Sequence, residues 1–179
     1  MRKLLVVGLI ALLSGCASVT SSGTGNPPHK LGKEWSPLEE IRERPALVQD
    51  AAGEGVITTV GKFCYVKDIN TWLARNPVDS PKFKAILRHE QEHSKRQHDT
   101  GVATWIARYG VDKSFALLEE QIGYYYEITE KRRLGIRFDP KAFARIFSRY
   151  KNLAGSLISY EDALEWTESV LDGSWAPPN

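Results

Sequence analysis

The segment 89–93 reads His-Glu-Gln-Glu-His, which places two histidines four residues apart with a glutamate directly after the first. On a helix, residues four apart lie one above the other on the same face, so both imidazoles can reach one metal ion. Glu90 is offset by one position and can reach a water molecule on that metal without being a ligand. The spacing therefore predicts hydrolytic chemistry, with His89 and His93 as ligands of zinc and Glu90 as the general base.

The sequence predicts that this segment lies on a helix. Ser80-Pro81 is a typical helix start, with serine as the N-cap and proline at the first helical position. No Gly or Pro follows between Phe83 and Gln97. A helix over residues 80–98 is therefore expected to carry both histidines on one face.

A small β-hairpin is predicted ahead of this helix. Runs of β-branched and aromatic residues at 56–60 and 63–66 flank Gly61-Lys62, a pattern typical of two strands joined by a tight turn. Asp68 is expected to cap a short helix, and residues 38–44 are expected to form one or two helical turns. Further helices are predicted at residues 102–109, 112–134, 139–150 and 159–172. The expected fold class is therefore α+β and mostly α, a helical domain with a small sheet.

A third protein ligand is expected among three downstream carboxylates. Asp99 lies six residues after the second histidine, a spacing that resembles that of metzincin-like enzymes, but Arg96 stands where those enzymes have a Gly that lets the chain turn sharply. Asp99 and His98 should therefore stay on the helix and point away from the metal. Glu119 and Glu120 lie on the predicted helix 112–134, which has room to fold back. Glu119 falls on the most apolar face of that helix, where a buried carboxylate needs a partner such as a metal.

The segment 120–124, Glu-Gln-Ile-Gly-Tyr, resembles the downstream glutamate motif of gluzincins, in which a small residue follows the ligand glutamate by three positions. Together with the segment 89–93, it makes the chain resemble a zincin metallopeptidase of the gluzincin kind. The resemblance favours Glu120 over Glu119 as the third zinc ligand and implies that Gly123 lets two helices pack closely. Tyr124 is expected to donate a hydrogen bond to the developing oxyanion.

Two other carboxylates lie near these residues in the sequence. Glu92 is expected to face solvent rather than to bind the metal, and its functional alternative is a carboxylate that contacts a ligand of the metal. Glu127 shares a helical stripe with Glu120, and it is expected to orient a ligand histidine or to anchor a substrate amine.

The first residues resemble an export signal. Met1-Arg2-Lys3 is basic, and the apolar run 4–13 is too short to span a bilayer as a helix. The run ends in Leu13-Ser14-Gly15-Cys16, which resembles the lipobox of bacterial lipoproteins. This resemblance implies cleavage before Cys16 and acylation of Cys16, with palmitate among the acyl chains. Ala17 in the next position implies sorting to the periplasmic face of the outer membrane.

The chain is accordingly expected to have three parts. Residues 1–15 form the signal peptide, and residues 16–34 form the lipidated cysteine and a flexible tether rich in Ser, Thr, Gly, Asn and Pro. Residues 35–179 form the metallopeptidase domain. Several acyl chains would hold this domain stably at a membrane surface.

Composition excludes some classes of partner. The formal net charge is +2, and removing Arg2 and Lys3 with the signal peptide leaves a neutral chain. A neutral chain predicts no nucleic-acid partner. Cys64 is the only cysteine besides Cys16, so no intramolecular disulfide is expected once Cys16 is lipidated. Cys64 lies in an apolar strand pattern and should be a buried, inert thiol.

These features predict a zinc-dependent peptidase of the bacterial cell envelope, acting on a peptide, a protein or a peptidoglycan cross-link. Two alternatives remain open. One is a catalytically inactive or structural zinc-binding lipoprotein that serves as an envelope binding or scaffold module. The other is a helical scaffold lipoprotein without a metal.

Overall fold

The computed structural model describes residues 26–45 and 55–178. The predicted signal peptide, Cys16 and the first part of the predicted tether lie outside the described residues.

A four-stranded sheet forms one end of the described chain. Its strands are β1 (His29–Lys30), β2 (Glu40–Glu43), β3 (Thr58–Val60) and β4 (Phe63–Val66), in the order β1-β2-β4-β3. Strand β2 runs parallel to β4, and the other two pairs are antiparallel. The predicted hairpin is thereby confirmed as β3–β4, and β3 forms an edge of the sheet.

Two expectations for the N-terminal part of the chain differ from the structure. The helical turns predicted at residues 38–44 are wrong, because Glu40–Glu43 is strand β2, with alternating burial and a fully buried Ile41. The last part of the predicted tether, 16–34, is also ordered, because His29–Lys30 pairs with β2. Strand pairing joins backbone groups, so a polar segment can pair without the apolar side chains that composition detects.

Six α-helices make up most of the described chain, which confirms the predicted fold class of a mostly α, α+β protein. Five of the six begin at an N-cap residue, Asp in three and Ser in two, whose side chain accepts a hydrogen bond from the first turn. The exception is the helix that begins at Val102. The helices are α1 (Ile69–Arg75), α2 (Pro81–Thr100), α3 (Val102–Val111), α4 (Lys113–Arg133), α5 (Pro140–Phe147) and α6 (Tyr160–Asp172).

Helix α5 ends earlier than predicted. It stops at Phe147, and the following residues form a short hairpin of β5 (Lys151–Asn152) and β6 (Gly155–Ser156). A 3-10 helix at Lys33–Trp35 lies between β1 and β2.

None of the helices in the described ranges combines the length and apolar content that crossing a bilayer requires.

Two apolar clusters flank the helix pair α2 and α4. One cluster joins the sheet to α1 and the first half of α2, and it includes Ile41, Cys64 and Trp72. The other joins the second half of α4 to α5 and α6, with Ile128 and Phe147 fully buried. The predicted buried state of Cys64 is confirmed, and burial raises the pKa of its thiol far above the usual value. The two clusters leave the facing surfaces of α2 and α4 for polar side chains.

Candidate metal centre

The three predicted ligands lie close together between α2 and α4. Potential donor atoms of His89, His93 and Glu120 all lie within 4.8 Å of one another. The Nε2 atoms of the two histidines are 2.9 Å apart. One Glu120 oxygen, Oε2, lies 3.8 Å from Nε2 of His89, and the other, Oε1, lies 3.6 Å from Nε2 of His93. The three residues therefore form a group that could hold one metal ion.

The chemistry of this group fits a divalent transition metal. Two imidazoles and a carboxylate are donors that such metals prefer. Four donors placed tetrahedrally at about 2.0–2.1 Å from zinc would be about 3.3–3.4 Å apart. The separation of the two Nε2 atoms, 2.9 Å, and that of Nε2 of His89 from Oε2 of Glu120, 3.8 Å, lie on either side of that value. Oε2 of Glu120 is buried and has no hydrogen-bond partner within the described chain. A buried carboxylate oxygen without a partner is costly, and a cation would satisfy it.

Glu127 lies behind His89 on the side away from the other ligands. Its Oε2 is 3.3 Å from Nδ1 of His89, an ion-pair distance without the alignment of a good hydrogen bond, and its Oε1 accepts from Lys131 at 2.6 Å. Burial lowers the pKa of the His89 imidazole, but the surrounding carboxylates, Glu127 first among them, raise it to about 9. Glu127 thus occupies the place of a carboxylate that orients a ligand histidine, one of its two predicted roles.

His93 has an aromatic neighbour on α3 in addition to Glu120. The ring of Trp105 on α3 meets the His93 imidazole edge to face, with centroids 5.6 Å apart. Burial and the neighbouring His89 hold the pKa of His93 well below its usual value. A lowered pKa favours the neutral imidazole, the form that offers a nitrogen lone pair to a metal.

Glu120 is held by a tyrosine from α3. The hydroxyl of Tyr109 donates to Oε1 of Glu120 at 2.5 Å. Burial raises the pKa of Glu120 to about 7, although His89 and the Tyr109 hydroxyl act in the opposite direction. A bound cation would favour the ionised form of this carboxylate.

Glu90 lies on the flank of α2 that faces the edge strand β3. The Thr59 hydroxyl donates to its Oε2 at 2.6 Å. Burial raises the pKa of Glu90, and His89 and Thr59 oppose this rise. A carboxylate with a raised pKa is better matched to taking up and releasing a proton near neutral pH.

The structure separates the three carboxylates that could have been the third ligand. Both oxygens of Glu119 accept hydrogen bonds from Arg96, at 2.8 and 2.6 Å, so a guanidinium rather than a metal satisfies this buried side chain. Asp99 and His98 are exposed near the end of α2, as predicted. Only Glu120 of the three carboxylates joins the two histidines.

We expect Glu120→Gln to lower metal affinity more than about 100-fold, beyond the effect of losing an outer contact to a ligand. Asp99→Asn, at the exposed end of α2, is the control and should leave metal affinity unchanged. Glu119→Gln should lower the free energy of unfolding, because Arg96 loses a charged partner, and should change metal affinity much less. Competition with a chromogenic chelator measures all three, and a larger affinity loss in Glu119→Gln would contradict the assignment.

Gly123 lets α4 approach the ligand helix. A Cβ atom at this position would lie 2.7 Å from Nε2 and 2.8 Å from Cδ2 of His89, closer than van der Waals contact allows. This confirms the predicted role of Gly123 in close helix packing. The imidazole can rest directly on the α4 backbone only because glycine has no side chain.

Gly123→Ala should therefore displace the His89 ring. We expect a loss of about 1–3 kcal/mol in the free energy of unfolding from overpacking, together with weaker metal binding. Gly55→Ala is the matched control, because a Cβ atom there would meet nothing within 4 Å. Urea unfolding and metal titration measure the two effects, and equal behaviour of both variants would contradict the prediction.

Tyr124 lies beside the site, but its hydroxyl points to another tyrosine. Its ring packs edge to face against His89, with centroids 4.4 Å apart, and its hydroxyl lies 2.5 Å from that of Tyr150. The role of Tyr124 as an oxyanion donor stays a prediction.

The solvent-facing position predicted for Glu92 is wrong, because this residue is buried and pairs with Lys95 at 2.8 Å and Arg88 at 3.5 Å.

Sequence reasoning missed two residues of the site. Thr59 gave no signal because a β-branched residue is ordinary in a strand. Tyr109 lies one turn after Trp105 on α3, and the two rings stack with centroids 4.8 Å apart. This aromatic spacing was the only available hint, and it is equally typical of a packed core.

Comparison with known proteins adds no relative, because no protein-family model, curated protein or solved structure matches the chain.

Proposed function

We propose that the chain is a zinc-dependent peptidase of the bacterial cell envelope. The observation that carries the proposal is the make-up of the site: three ligands converge within the described chain, and the buried carboxylate of Glu90 directly follows the first ligand in the sequence. Structural zinc sites take four protein ligands, whereas catalytic sites take three and leave one position for water or substrate. A three-ligand group beside a general base supports catalysis.

Each side chain has a distinct task in this proposal. Bound zinc would lower the pKa of a water molecule and polarise the scissile carbonyl. Glu90 accepts the proton that the attacking water loses and later donates it to the leaving amine. Thr59 holds Glu90 in place throughout, and Glu127 holds the ring of His89.

Metal removal tests the proposal. A peptide library and peptidoglycan fragments should be hydrolysed by the zinc-loaded chain, lose that hydrolysis after chelation, and regain it when zinc is added back. Product analysis by mass spectrometry provides the measurement. Hydrolysis that persists in the metal-free protein would contradict a zinc peptidase.

A second candidate is a zinc-binding lipoprotein that is not an enzyme and serves as a binding or scaffold module. Burial favours it, since His89, Glu90, His93 and Glu120 are each only 4–6% exposed. A structural site does not need Glu90, so the effect of Glu90→Gln separates the two candidates.

The envelope location rests on the sequence of residues 1–16 alone. Cys16→Ser should leave an unprocessed chain without acyl groups, because the thiol that receives the lipid is gone. Metabolic labelling with a fatty acid and the mobility of the chain on a gel measure this. A Cys16→Ser chain that still incorporates label would contradict the lipoprotein assignment.

A further inference from the structure

Helix α3 contacts two of the three candidate ligands through one stacked aromatic pair. Trp105 and Tyr109 lie one turn apart, with ring planes only 17° from parallel. Trp105 meets the ring of His93, and the Tyr109 hydroxyl donates to Glu120. No step of the proposed hydrolysis uses α3, yet this helix contacts two candidate ligands through polar and aromatic side chains.

The two oxygens of Glu120 have different surroundings. Oε1 accepts the short hydrogen bond from Tyr109, whereas Oε2 is buried and has no partner within the described chain. A carboxylate can bind a metal through one oxygen or through both. Oε1 already accepts a hydrogen bond and Oε2 accepts none, so Oε2 is the oxygen with more capacity for a cation.

Tyr109 is itself held in place by the hairpin that follows α5. The side-chain amide of Asn152 donates to the backbone oxygen of Tyr109 at 3.1 Å, and the backbone amide of Leu153 donates to the oxygen of Gly110 at 3.0 Å. These bonds fix the last turn of α3, and stacking on Trp105 fixes the ring. The hydroxyl is therefore held in a set position before any metal binds.

We infer that Tyr109 is a positioning residue that makes Glu120 bind the metal through a single oxygen. This inference rests on the proposed function and deepens it. A carboxylate that bound through both oxygens would take a second coordination position, which a hydrolytic site needs for water and substrate. Tyr109 keeps that position open.

Cobalt(II) is a suitable probe, because it binds zinc sites and its visible absorption weakens when a fifth donor joins four. The full chain with Tyr109→Phe should still bind about one cobalt ion, with an affinity about 10- to 100-fold lower, as is usual when an outer contact to a ligand is lost. Its visible absorption should weaken and shift, because the freed Oε1 can also reach the metal. Tyr125→Phe, on α4 and outside the site, is the matched control and should keep the wild-type spectrum.

An unchanged cobalt spectrum in Tyr109→Phe would overturn the inference, whatever the affinity. A wild-type chain that bound no cobalt would overturn both the inference and the metal centre. The readout needs no turnover, so failure of the peptidase proposal is recognised separately, as a wild-type chain that binds zinc and hydrolyses nothing. Thermal unfolding of the metal-free variants shows whether both substitutions leave the fold intact.

Discussion

Replacing His89 and His93 together by alanine should reduce bound zinc from about one ion per chain to almost none. Both Nε2 atoms face the same point, 2.9 Å apart, and the double variant leaves Glu120 as the only donor of the group. One carboxylate holds zinc poorly, because structural and catalytic sites use three or four protein ligands. Elemental analysis of the purified chain after dialysis measures the loss.

The same pair of substitutions should abolish stabilisation by zinc. A ligand present at 100 times its dissociation constant raises the free energy of unfolding by about 2.7 kcal/mol. Wild-type protein and a His98→Ala control should show this rise, because His98 is exposed on the same helix and outside the site. A double variant that retained full zinc content or the full stabilisation would show that the metal lies elsewhere.

Glu90→Gln should lower hydrolysis by about 10²- to 10⁴-fold while the fold and the zinc content stay unchanged. Glutamine keeps the shape of the side chain, and its amide oxygen can still accept the hydrogen bond from Thr59. It cannot take up a proton, so only the base is lost. Initial rates on a substrate found in the peptide screen, measured beside zinc content, provide the test.

Glu92→Gln is the control for this second prediction. Glu92 is also a buried carboxyl side chain on the same helix, but it pairs with Lys95 and not with a ligand. Its substitution should leave the rate nearly unchanged. Equal rates for wild type and Glu90→Gln would rule out the general-base role, and a loss of zinc in Glu90→Gln would instead assign this residue to the metal.

Local signals in the sequence predicted most of the helices and the pairing of the two histidines in the candidate site. Ser80 and Asp112 predict helix starts because their side chains can accept hydrogen bonds from backbone amides of the first turn, and both N-caps are observed. The histidine spacing also needs only local geometry, because helical periodicity alone brings positions 89 and 93 together.

Contacts between distant elements could not be predicted in the same way. Strand β2 forms because β4 lies beside it, and nothing within residues 38–44 specifies that partner. Glu119 and Glu120 are neighbours, and the sequence favoured Glu120 only through the resemblance of the segment 120–124 to the gluzincin motif. The choice between them depends on the rotation of α4 about its axis. The hydrogen bond from Arg96 of α2 to Glu119 and the close approach of Gly123 to His89 fix this rotation.

The residues that form the candidate site and hold it in place are unequally separated along the chain. Helices α2, α3 and α4 follow one another with single residues, Gly101 and Asp112, between them, so the three ligands and Tyr109 belong to one local unit. Thr59 reaches Glu90 from a strand outside that unit. Contacts of low sequence separation form earlier in folding than distant ones. The helical unit is therefore expected to bring the three candidate ligands together first, and Glu90 reaches its final position only when the sheet docks. Under the proposed function, the base would be the last part of the site to form.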